Sequence, residues 1–176
     1  DDQPGQKQLV DNQYAVGGNV EHQPNGLLRH LDNWIYSGRS TARYKKIGKR
    51  WIKEEEPLRF RGQWGLTSDN VGRLFFNDNS NPLYADFVNP NLLTRNEFYT
   101  PTEGVFEHIM PDRRIWPLHA TAINRGYIPG MLDEKEFVVN FTAACGPVVY
   151  RGNQFPEEYA GNAFVCGPEA NFIKRF

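Results

Sequence analysis

Cysteine is scarce in this 176-residue chain, which has two, and that excludes a small fold stapled by a dense set of disulfides. Cys145 and Cys166 each sit in apolar, strand-like surroundings, so a single bridge and a pair of buried thiols are both open readings. Long apolar runs are missing too. Nothing approaches the ~18 residues that a membrane-spanning helix needs, and no membrane span is expected. Neither sign of charge dominates: a formal net charge of -1 and a pI near 6.5 give no global field that would gather nucleic acid. The one basic stretch, Arg43 to Lys53, runs straight into Glu54, Glu55 and Glu56, which reads as a solvated, charged hairpin. Short metal-ligand spacing is absent among the four histidines, and His30, His108 and His119 are expected to be structural.

What the chain does have is 14% aromatic residues, 16 glycines and 12 prolines, a mixture suited to short strands joined by tight turns. At this length one core suffices, and residues 1–176 are read as a single domain. An internal repeat refines the picture. Gly26-Leu27 followed by Asp32-Asn33-Trp34-Ile35-Tyr36 recurs as Gly65-Leu66 followed by Asp69-Asn70 and then Leu74-Phe75, with an offset of 39 residues at both ends. Each copy reads as a strand, a turn built on Asp-Asn, and a second strand. A weaker copy joins Val148-Val149-Tyr150 to Ala163-Phe164-Val165. Strand-rich, glycine-rich repeats of ~40–50 residues are what propeller blades produce, since one blade cannot cover its own faces. The expected fold is therefore an all-β β-propeller, with about four blades in this chain as part of a larger ring. A sandwich with coincidental hairpins is the competing architecture.

Between the repeats, Asn77 to Pro129 is dense in Asn and Pro and is expected to form long loops; no helix is expected beyond a turn at Asp133 to Glu136. Two motifs invite a chemical reading. His22, in Glu21-His22-Gln23-Pro24-Asn25-Gly26-Leu27, stands just before a strand, where a histidine is exposed without being free and can exchange a proton near neutral pH. Arg61, in Arg59-Phe60-Arg61-Gly62-Gln63-Trp64-Gly65-Leu66, opens the next repeat in the same way, and a guanidinium there offers bidentate donors to an anionic or carbonyl-rich partner. If successive blades stack around an axis, the two side chains project from one face toward one ligand.

Three segments carry a family likeness: His22-Gln23 with Ile35-Tyr36 beginning thirteen residues after the histidine, Arg61-Gly62-Gln63-Trp64-Gly65-Leu66, and Cys145-Gly146-Pro147-Val148-Val149-Tyr150 continuing through Tyr159-Ala160-Gly161-Asn162-Ala163-Phe164-Val165. They resemble the soluble quinoprotein glucose and sorbosone dehydrogenases, and more closely the membrane-bound dehydrogenase-like propellers of planctomycetes and verrucomicrobia. The first looks like the segment bearing the family's proton-abstracting histidine. The second is similar to an Arg-Asn-Pro-Gln-Gly-Leu motif whose arginine contacts the quinone, with Gly62 and Trp64 standing where the family has Asn and Gln. The third is close to a Pro-Ser-Gly…Tyr…Gly…Phe-Pro…Gly…Leu-Phe-Val signature, and speaks to fold more than to activity.

The resemblance implies a six-bladed ring in the periplasm or outside the cell, with pyrroloquinoline quinone (PQQ) as cofactor and a sugar or other alcohol as substrate. In it His22 is the base and Arg61 polarises the quinone carbonyls, with Gln63 and Trp64 beside the cofactor. A calcium ion is implied near Ser80 and Asn81, where Asp78 and Asn79 add hard oxygen ligands. No haem-attachment Cys-x-x-Cys-His is present, so a cytochrome or other electron acceptor, or a further propeller chain, is an expected partner. The rival expectation is a non-catalytic propeller that serves as a binding or assembly module in a larger extracellular or redox complex.

Overall fold

The computed structural model describes residues 3–56, 61–120 and 125–176, and among them the chain is all-β, built from three consecutive antiparallel sheets. The first is a meander of β1 (Asn25–Arg29), β2 (Ile35–Gly38), β3 (Ala42–Ile47) and β4 (Arg50–Glu55). The second repeats this order with β5 (Leu66–Ser68), β6 (Leu74–Phe76), β7 (Tyr84–Asp86) and, after the single turn of α1 (Pro90–Leu93), the short β8 (Glu107–His108). The third has β9 (Cys145–Val149), β10 (Ala163–Gly167) and β11 (Phe172–Arg175) in the spatial order β11-β10-β9.

The copies of the sequence repeat are the first hairpins of these sheets: β1 with β2, β5 with β6, and β9 with β10. Their turns work as the Asp-Asn pairs suggest. Asp32 Oδ1 accepts the Trp34 amide at 3.0 Å, and Asp69 Oδ1 accepts those of Val71 and Arg73 at 3.1 and 2.9 Å. The glycines have a reason of their own. Gly26, Gly65 and Gly146 all hold positive φ, at 59°, 91° and 57°. A β-carbon on Gly26 would sit 2.7 Å from the Gly65 Cα, and one on Gly65 would come within 3.9 Å of the Gly146 Cα. The leading strands lie side by side, β1 against β5 and β5 against β9, with these glycines at the approach.

Two expectations are corrected. About four blades were expected; three sheets exist among the described residues, because residues 109–144 contribute only isolated bridges, Arg114 with Asn140 and Leu132 with Val138. Residues 109–120 and 125–144 instead fold over the second and third sheets. Ile115, Val138 and Phe141 from them pack with Phe75, Ala85, Val149 and Val165 into the main core, where each fully buried large side chain is worth about 1.5–3 kcal/mol. The charged hairpin is the β3–β4 pair, but Glu56, just beyond it, is buried rather than solvated.

Candidate functional site

The chain enters the first sheet through a short 3₁₀ turn, Val20–His22, whose N-cap Asn19 accepts the Glu21 amide at 3.0 Å. His22 is exposed at its end. The entry to the second sheet lies beside it, and Asn25 ties the two together. Its Nδ2 donates to the Gln63 carbonyl at 2.7 Å and to the Gln23 carbonyl at 3.0 Å, while its Oδ1 accepts the Gly65 amide at 3.0 Å. One side chain thus uses both donors and its acceptor to hold two loops that are far apart in sequence. Gln63, held also by its amide on the Asn77 carbonyl at 2.8 Å, then reaches the His22 Nδ1 with its Nε2 at 3.2 Å.

That contact sets the chemistry available to His22. With the amide NH2 toward Nδ1, the neutral ring carries its proton on Nε2 and offers a donor; with the amide oxygen there, Nδ1 is protonated and Nε2 is a base. The first arrangement recognises a hydroxyl or carbonyl oxygen, and the second removes a hydroxyl proton.

Beside Gln63 opens a cleft of about 250 Å³, bordered by Arg39, Asn77, Asp78, Tyr84 and Phe106. Phe76 stacks on Tyr84 at 5.6 Å and meets Phe106 edge-on at 5.3 Å, giving one aromatic wall. Asn77 lies at its base with 0% exposure, and neither its Oδ1 nor its Nδ2 has a hydrogen-bond partner.

Arg61 is elsewhere. It is 2% exposed, its Nε donates to Asp86, and its Nη1 and Nη2 donate to Glu56. Asn91 donates to Glu56 at 3.0 Å and the Phe106 amide to Asp86 at 2.9 Å, while the guanidinium lies 5.3 Å from the Tyr36 ring. Burial outweighs the Arg61 attraction, with Glu56 adding repulsion, and holds the Asp86 carboxyl above its ordinary value. His22 and Arg61 were expected to share one space; the structure pairs His22 with Gln63 and makes Arg61 an internal strut between the sheets.

The remaining expected contacts are also committed. Trp64 donates its Nε1 to Asn79 at 3.2 Å. Ser80 and Asn81 turn their amides onto Asp78 Oδ1 at 2.8 Å each, and Asn81 Nδ2 donates to the same carboxylate. This loop is closed from within by its own acid, whereas a calcium ion requires converging oxygens. No group of three or more His, Cys, Asp or Glu suited to a metal occurs among the described residues. A tricarboxylate quinone calls for cationic donors, and the arginine expected to supply them is spent on two carboxylates; the cleft is also below the roughly 300–1,000 Å³ usual for cofactor-sized ligands. The residues present do not fit PQQ or calcium at the expected positions.

Asn25 was not singled out in the sequence, although its place before a repeat glycine was a signal. Asn77 carried none, because only the fold buries it.

Among the described residues the chain is thus an all-β protein of three successive antiparallel sheets, with a cleft of mixed polar and aromatic lining where the second sheet begins. It belongs to the family described as a domain of unknown function, DUF7133, which matches residues 1–176. No curated protein and no solved structure matches it.

Proposed function

We propose that this chain is a β-propeller segment acting as a binding module for a small hydroxylated molecule, a sugar or other alcohol, within a larger extracellular or redox complex. The observation that carries the reading is Gln63, which lines the cleft and bonds His22, on a loop anchored across two sheets by Asn25. An imidazole, an amide and an aromatic wall are the donors, acceptors and stacking surface that a hydroxylated ring uses. The propeller reading draws support from three successive meanders whose leading strands neighbour one another. Calorimetric titration of aldoses and polyols tests the module: binding is expected, and Gln63→Ala is expected to weaken it by about tenfold, the equivalent of one well-placed hydrogen bond. Absence of heat with every sugar and polyol at millimolar levels would overturn it.

A second reading, a PQQ-dependent dehydrogenase with His22 as base, requires the Gln63 amide oxygen, rather than its nitrogen, to turn toward His22 Nδ1. Adding calcium and the quinone and following dye reduction by aldoses separates the two. Reduction that is lost in His22→Ala supports the enzyme; sugar binding without quinone uptake supports the module.

A further inference from the structure

Cys145 and Cys166 face each other across β9 and β10, in direct register. Simple alternation would not bring their side chains together. Val149 and Ala163 are partners whose side chains both enter the core; Cys145 lies four residues before Val149, whereas Cys166 lies three residues after Ala163, so counting by twos assigns the cysteines to opposite faces. A bulge resolves the parity. Between the Val148–Phe164 and Cys145–Cys166 pairs, Gly146 and Pro147 together oppose Val165, and Gly146 takes the left-handed φ of 57° that such a bulge requires. The extra residue carries Cys145 onto the face of Cys166.

That face looks outward. Cys166 is in register with Ile173, which is 65% exposed, and Phe164 and Val148 flank it, while Ala163, Val165 and Val149 point into the core. Both thiols are half-buried and unbonded to each other in this state. Directly opposed residues of an antiparallel pair have Cα atoms about 4.5–5.5 Å apart, inside the span of about 4.4–6.8 Å that a disulfide bridges.

We propose that Cys145 and Cys166 are a redox-modification site, closing a reversible cross-strand disulfide that locks β9 to β10. With glutathione disulfide as oxidant, the thiolate of one cysteine attacks a glutathione sulfur, forming a mixed disulfide and releasing one glutathione thiolate. The second cysteine thiolate then displaces the other glutathione. Two protons leave the protein thiols, two electrons pass to glutathione disulfide, and two molecules of glutathione result. Burial, with help from the neighbouring Cys166 and Glu169, raises the Cys145 thiol above its ordinary value, so exchange quickens toward alkaline pH.

The test is equilibration of the full chain in glutathione buffers of graded potential, trapping with iodoacetamide, and intact-mass measurement. A monomeric product about 2 Da lighter, carrying no alkyl group, is expected, and it is lost in both Cys145→Ser and Cys166→Ser. Because the folded register raises the effective concentration of one thiol at the other, bridge formation is expected to be favoured by at least about tenfold over the same chain in denaturant. Glutathione adducts as the final product at equilibrium, intermolecular dimers, persistent free thiols under strongly oxidising conditions, or equal equilibria in the folded and denatured chain would each overturn the proposal.

Discussion

Arg61 is a buried cation shared by two acids from different parts of the chain. Its two partners lie 5 and 25 residues away; Glu56 closes an acidic run that looks solvated, and Asp86 sits at the end of a strand in the next sheet. Burial of two carboxylates around one guanidinium is a tense arrangement, because the ions gain from one another only what desolvation has cost. Removing the arginine alone leaves both acids uncompensated. Arg61→Ala is therefore expected to lower stability by about 3–5 kcal/mol at about pH 7 in denaturant unfolding. The pH dependence has a definite sign. Without the cation, the Asp86 carboxyl, raised already by burial, stands further above its unfolded value, so the folded state holds more protons and stability declines as pH rises through that value. The deficit of Arg61→Ala should thus be smaller at about pH 5 than at about pH 7, and a deficit that grows on acidification would contradict the triad. Asp86→Asn, which leaves one acid per arginine, should cost less than Arg61→Ala at about pH 7.

At the scale of strands and turns, the sequence was informative where local chemistry decides and silent where parity does. The Asp-Asn turns, the charged β3–β4 hairpin and the 39-residue repeat were all legible, since each rests on neighbouring residues. What the repeat glycines were for was not legible. Gly26 and Gly65 serve a close approach between strands of different sheets, and Gly146 a bulge that changes which side chains share a face; both depend on a partner strand. The same limit applies to the site, where His22 and Gln63 were readable as candidates, but the Asn25 clamp and the buried Asn77 needed the second sheet in place. Two alanine substitutions separate conformation from contact. Gly48, in the β3–β4 turn, has φ 58° with nothing near its absent β-carbon, so Gly48→Ala should cost only the left-handed penalty of about 1–2 kcal/mol. Gly26 has φ 59° but a neighbouring backbone at 2.7 Å, and Gly26→Ala should cost measurably more and weaken the His22–Gln63 pairing as β1 and β5 part. Equal thermal shifts in the two variants would remove the close approach as the reason for the repeat.

For the molecule as a whole, the two outer sheets are finished differently. The first has an N-terminal segment tied to it: Tyr14 bonds Ser37 at 2.9 Å, Asp11 pairs with Lys53 at 3.1 Å, and Leu9 and Val10 line an open cavity of about 290 Å³ with Leu27, Ile35 and Trp51. The third is covered only in part: Tyr159 stacks on Phe164 at 6.3 Å, while Val148 stays at 51% and Ile173 at 65% exposure on the same outward face. Apolar residues on one side of a twisted sheet call for a partner layer. In the proposed propeller that layer is a further antiparallel sheet, stacked as the third stacks on the second; in a solution of this chain alone, the surface left to meet it is a second copy. The wild-type chain is therefore expected to associate with rising concentration in sedimentation experiments, and Val148→Lys combined with Ile173→Lys to hold it monomeric. Because both side chains point away from the core, the double variant should move the thermal midpoint little, as exposed substitutions generally stay within about 0.5 kcal/mol. A monomeric wild type at every concentration would mean that this face is complete as it stands, and the case for a further stacked sheet would lose its physical basis.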